Sequence, residues 1–116
     1  MDNAHDLILL YVPCGSEEEA TGIARALLEE RLIACANVYP SRSLYRWQGK
    51  VADEIEHVLI CKTSKSRANA AEKRILDMHS YELPCVLQIQ PAGVNHAYAR
   101  WVVGEVSSTR GEGDAR

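Results

Sequence analysis

Phenylalanine is missing from the chain: every aromatic ring among its 116 residues is a tyrosine or a tryptophan. Each ring therefore carries a polar tip, which favours positions with one apolar side and one hydrogen-bonding side. Long apolar runs are missing too, since nothing approaches the roughly 20 residues of a bilayer-spanning helix. Charge of one sign is not in excess. A net charge of −3 supplies no electrostatic footprint for nucleic acid. The N-terminal MDNAHD is acidic and polar, unlike a secretory signal. The four cysteines (Cys14, Cys35, Cys61, Cys85) have no paired spacing, and neither His-x-x-x-His nor His-Glu-x-x-His occurs, so no familiar zinc framework is present. Buried free thiols in a reducing cytoplasm are the expectation, with no membrane and no nucleic acid as partner.

What the chain does have is one long ribbon. LIACANVYPSRSLYRWQGKVADEIEHVLICK, from Leu32 to Lys62, reads as two strands around a turn at Gln48-Gly49. Each arm extends to roughly 12–15 residues, where about 5–6 is usual. The other strand candidates, Leu7–Val12 (ended by Pro13 and Gly15) and Val86–Gln90, are short. The ribbon's tip must then overhang the sheet, with Tyr45 and Trp47 on one face by the two-residue period. A bare two-stranded ribbon is marginal in water. Further copies of the chain are its simplest cover. Pro40 marks the first arm as an edge strand, kinked there.

Helical spacing brackets the ribbon. Ser16 reads as an N-cap with Glu19 at the capping-box position, and Ala20, Ile23, Ala24, Leu27 and Leu28 carry a helix to about Glu30 or Arg31. Ala68, Ala71, Ile75 and Met78 give a second helix, capped by Ser64 or Ser66 and ending near His79. Asn95 caps a short third one. The order strand, helix, strand, strand, helix, strand, helix is an α+β, ferredoxin-like βαββαβ sandwich with a C-terminal helix added. Its first and third strands are central, and its edges invite pairing with another chain. One domain spans 1–116, with an ordered core at about 6–106 and a disordered tail at 107–116.

Two sets of residues could carry chemistry. His79, Tyr81, Glu82 and Cys85 fall within seven residues, and imidazole with thiolate suits copper or zinc. The structural reading makes His79 a helix-terminal residue satisfied by backbone, and each cysteine a small apolar filler. The second set is Tyr39, Tyr45, Trp47, Tyr81, Tyr98 and Trp101. These rings either pack an interface or wall a cleft between subunits, closed by His79 or Lys62, for a small ligand or ion. Nucleophilic catalysis has little support: Ser41 and Ser43 lack a nucleophile elbow, and Cys35 lacks an activating cation. No catalytic constellation emerges, so a non-enzyme is expected.

Ala34-Cys35-Ala36-Asn37, Ser43-Leu44-Tyr45-Arg46-Trp47-Gln48-Gly49-Lys50, Lys62-Thr63, His79-Ser80-Tyr81-Glu82-Leu83-Pro84 and Tyr98-x-x-Trp101 together resemble the CutA family of divalent-cation tolerance proteins. The resemblance covers about residues 6 to 105. It implies a ferredoxin-like fold, a tight homotrimer built through the long strands, a role in tolerance of copper and other divalent cations, and kinship with trimeric PII signalling proteins. Two positions depart from the family pattern: Ser80 stands where the family usually has proline, and Cys85 where glutamate commonly follows the proline. On this reading a loosely bound copper or other divalent ion meets His79, Cys35 and Cys85, while Tyr45, Trp47, Lys62, Tyr81, Glu82 and Trp101 form the intersubunit cleft or interface. The alternative is a PII-like signalling or scaffold trimer with a small organic ligand in that cleft.

Overall fold

A computed structural model describes residues 6–107; most of the tail expected at 107–116 lies outside the described residues. The elements are β1 (Leu7–Cys14), α1 (Glu17–Glu29), β2 (Cys35–Trp47), β3 (Lys50–Ser64), α2 (Lys65–Met78), β4 (Leu87–Ile89) and α3 (His96–Ser107). The four strands form one antiparallel sheet in the order β2-β3-β1-β4. This is the α+β, ferredoxin-like arrangement, with the first and third strands central.

The ribbon is as long as the sequence implies. Its ladder runs from Cys35 opposite Lys62 to Trp47 opposite Lys50. Gln48 and Gly49 close it with φ of 50° and 79°, the pair of positive values that the favoured two-residue hairpin turn demands. The register is continuous through Pro40, opposite His57, so the expected kink leaves no bulge. An edge position is enough to accommodate a missing N–H. β1 ends at Cys14, opposite His57. Residues 50–56 of β3 and their partners 41–47 therefore have no third strand beside them.

β1 runs two residues past the expected end, through Pro13. β4 flanks it only over Leu9–Tyr11, so on that side the proline nitrogen deprives no strand of a donor. Side chains alternate across the sheet. One face carries Leu10, Val12, Cys14, Leu59 and Cys61, which pack with Ile23 and Leu27 of α1 and Ile75 of α2 into the main core. The other face buries Leu7 and Val58, and α3, with Ala99, Val102 and Val106 buried, contacts β3 and β1.

The helix ends show how the layers are joined. Ser16 Oγ accepts from the Glu19 N–H at 3.0 Å, the expected N-cap. Ser64 occupies the N-cap of α2, but its hydroxyl pairs with Ser66 Oγ at 3.0 Å. α1 ends with Leu32 N–H on Leu27 O and Arg31 N–H on Leu28 O, a Schellman closure that puts Arg31 at φ 57°, where glycine is usual. Its guanidinium donates to Glu105 O at 3.1 Å, and Arg67 Nε donates to Val106 O at 2.7 Å. Two arginines thus satisfy carbonyls at the open C-terminal end of α3 and favour its dipole.

Candidate functional site

The junction between β1 and α1 is tied to the segment after α2 by two side chains. Glu19 sits where a capping box would turn it back to Ser16, yet its carboxylate reaches further. Oε1 accepts from Gly15 N–H at 3.1 Å, and Oε2 accepts from Ser80 N–H at 2.7 Å. His79 has a fully buried side chain. In the tautomer this network selects, Nε2–H donates to Pro13 O at 2.9 Å while Nδ1 accepts from Tyr81 N–H at 3.2 Å. Both ring nitrogens are therefore engaged with backbone.

This clamp aims Tyr81. Its ring meets His79 edge-on at 4.7 Å between centroids, and its O–H donates to Glu56 Oε2 at 2.8 Å. Gly15 permits the close passage: a Cβ there would stand 3.3 Å from the Tyr81 ring. On the overhanging ribbon, Tyr45 O–H donates to Glu54 Oε1 at 2.6 Å. The hydrogen bond to Glu54 pushes the Tyr45 hydroxyl pKa up to about 12, and burial followed by Glu56 raises that of Tyr81. Between ribbon and loop lies a cleft of about 500 Å3. Tyr45, Trp47, Glu54, Glu56, Tyr81 and Glu82 line it, together with Cys85. Burial and then Glu56 raise the Cys85 pKa above the usual thiol value.

Four of the six residues expected at the cleft, Tyr45, Trp47, Tyr81 and Glu82, thus come together in one chain. The other two do not join them. Lys62 lies at the ribbon's base, donating to Asn37 Oδ1 at 2.7 Å. Trp101 lies on α3, 5.7 Å from the Tyr98 ring. Nor does the fold gather the three expected metal donors within one chain. Cys35 pairs with Tyr98 O–H at 3.2 Å, Cys85 is exposed beside the cleft, and His79 is held in the clamp.

Among the described residues, one constellation could hold an ion by spacing alone: Cys14, Glu19 and His79, whose donor atoms lie within 4.8 Å of one another. Its chemistry does not fit an ion. Burial, then Glu19 and Glu56, push the Cys14 thiol up to about 12. Both His79 nitrogens and both Glu19 oxygens already have partners. The constellation reads as a structural clamp. The sequence reading passed over Glu54 and Glu56, although their two-residue spacing, opposite an arm bearing Tyr45 and Trp47, puts both on the aromatic face.

Glu19 makes this clamp pH-sensitive. Burial works to raise its pKa, but the Ser80 hydrogen bonds, the Gly15 N–H and His79 together bring it below the ordinary 4.5. A depressed folded value means stability that is fully present above pH 4.5 and is lost as pH falls through the folded value. Glu19→Gln is therefore expected to lower stability at neutral pH and to flatten the acid limb below pH 4.5. Denaturant midpoints measured across pH would check this.

Residues 8–105 match the family model described as CutA1 divalent ion tolerance protein. The divalent-cation tolerance protein CutA of Thermus thermophilus is 39% identical over 98 residues, spanning 84% of this chain and 93% of that protein. The CutA structure from Synechococcus elongatus PCC7942 superposes with a TM-score of 0.84 at 34% identity, covering 88% of this chain and 91% of that one. A structure described as the periplasmic divalent cation tolerance protein CutA from Archaeoglobus fulgidus gives 0.83 at 32%, covering 86% and 98%. With residues 8–105 matched by the family model and 84% of its length aligned to a relative at 39% identity, the chain belongs to the CutA1 family of divalent ion tolerance proteins.

Proposed function

We propose that the protein is a homotrimer that binds copper or another divalent cation at weak sites shared between subunits, and that it serves metal-ion homeostasis as a binding protein rather than an enzyme. Family membership supplies the cation tolerance. The dispersal of the soft donors carries the rest: Cys35, His79 and Cys85 lie in three neighbourhoods of one chain, so a site using more than one of them draws on more than one subunit. Cys85 and Cys35 act as thiol donors suited to soft Cu(I). His79 joins them only by releasing Pro13 or Tyr81. We place the protein in the cytoplasm, where its four free cysteines stay reduced. None of the described helices is long and apolar enough to cross a membrane.

Anaerobic Cu(I) titration against a competing chelator tests the reading. Copper is expected to bind per trimer, and Cys85→Ser and Cys35→Ser to weaken it by about tenfold each. Equal affinity in wild type and both variants would remove the thiols from the site. The cleft supports a second reading, a PII-like trimer that binds a small organic molecule, because about 500 Å3 lies within the range of organic-ligand pockets.

A further inference from the structure

We propose that the cleft between the ribbon and the Tyr81–Cys85 segment binds an organic cation carrying N–H donors, a primary ammonium or a guanidinium. The inference rests on the second reading above and gives that ligand a chemical class. Its basis is Glu56, only 7% exposed. One of its carboxylate oxygens accepts from Tyr81 O–H. Among the described residues no cation pairs with Glu56, Glu54 or Glu82. A carboxylate withdrawn from water is stable only with a counter-charge or a full set of donors, and one hydroxyl is a partial set. A positive group that also donates would supply both.

The surroundings separate the kinds of cation. A bare metal ion needs several donor atoms converging within a few ångströms, and the carboxylates of the cleft with Cys85 form no such group, unlike Cys14, Glu19 and His79. Ring faces attract organic cations, and Tyr45 and Trp47 flank Glu54 and Glu56 on the same face of the ribbon. The volume suits several heavy atoms. Arg46, the one cation among the lining residues, has its Cβ on the ribbon's other face by alternation and forms no ion pair with the three carboxylates. An anion would meet three carboxylates.

Calorimetry on the assembled protein at neutral pH, with n-butylamine, n-butanol and butyrate, tests the inference. The three probes share a carbon skeleton and differ in charge. Butylamine alone is expected to bind, with a change in tryptophan fluorescence, and Glu56→Gln to weaken it by about tenfold or more. Glu82→Gln, at an exposed position, gives a second measure if Glu56→Gln misfolds. Butanol or butyrate binding as tightly as the amine would overturn the cation while leaving the cleft a ligand site. Binding by none of the three would overturn both. Unchanged amine affinity in well-folded Glu56→Gln would remove the carboxylate that carries the inference.

Discussion

Leu44→Asp combined with Ile55→Asp is expected to dissociate the proposed homotrimer to single chains without unfolding the sheet. Leu44 is 62% exposed and Ile55 61%, with Val51 beside them at 64%. Alternation puts all three on one face of the ribbon, beyond the end of β1 and opposite the face of Tyr45 and Trp47. Neither α1 nor α2 covers them. Fully burying such a side chain contributes about 1.5–3 kcal/mol, so three per subunit give a substantial share of the drive for association. An aspartate at the same place brings an unpaired charge into the contact, which is strongly unfavourable. The ribbon itself survives, because its backbone ladder from Cys35–Lys62 to Trp47–Lys50 does not depend on these side chains, while the Arg42–Asp53 bond at 2.9 and 2.8 Å is disturbed by the new carboxylates opposite both partners. Sedimentation equilibrium is expected to fall from three times the 12.9 kDa chain mass to one, with far-UV circular dichroism little changed. An undiminished mass would show that the ribbon docks through other residues.

The ribbon was legible because strand chemistry is local. Runs of β-branched and aromatic residues around Gln48-Gly49 specify both arms and their turn, and a ladder that long fixes its own register. The helices were legible for the same reason, from the spacing of Ile23, Leu27, Ala71 and Ile75. Side-chain reach across chain distance was not. Glu19 satisfies the capping-box pattern, but its carboxylate goes to Ser80, 61 residues away. Arg31 stands at a helix end where composition suggests glycine, since its partners lie on α3. Alternation could have predicted Glu54 and Glu56 as cleft residues, yet a carboxylate on a strand reads as solvent-facing until a loop covers it. Cys35 and Cys85 both attract attention as thiols. Only topology shows that they serve different ends of the ribbon.

His79→Ala is expected to be the most damaging single substitution near the cleft, and damaging in metal-free protein. The imidazole is buried, touches Tyr81 edge-on, and spans from Pro13 O to Tyr81 N–H. Truncation leaves a backbone acceptor and a backbone donor without their partner, at about 1–3 kcal/mol for each that stays buried, and removes ring packing besides. A loss of about 3 kcal/mol or more is therefore expected in urea unfolding at fixed protein concentration. The effect should spread to the cleft, since Tyr81 holds Glu56 through a hydroxyl that His79 and Gly15 position. Tyr81→Phe separates the two consequences: it keeps the ring against His79 and leaves Glu56 without its donor, so stability should fall less while butylamine binding weakens. If His79 were a metal ligand and nothing more, His79→Ala would leave metal-free stability unchanged and alter only the copper titration. The full burial of its side chain and the two backbone bonds argue for the larger, metal-independent loss.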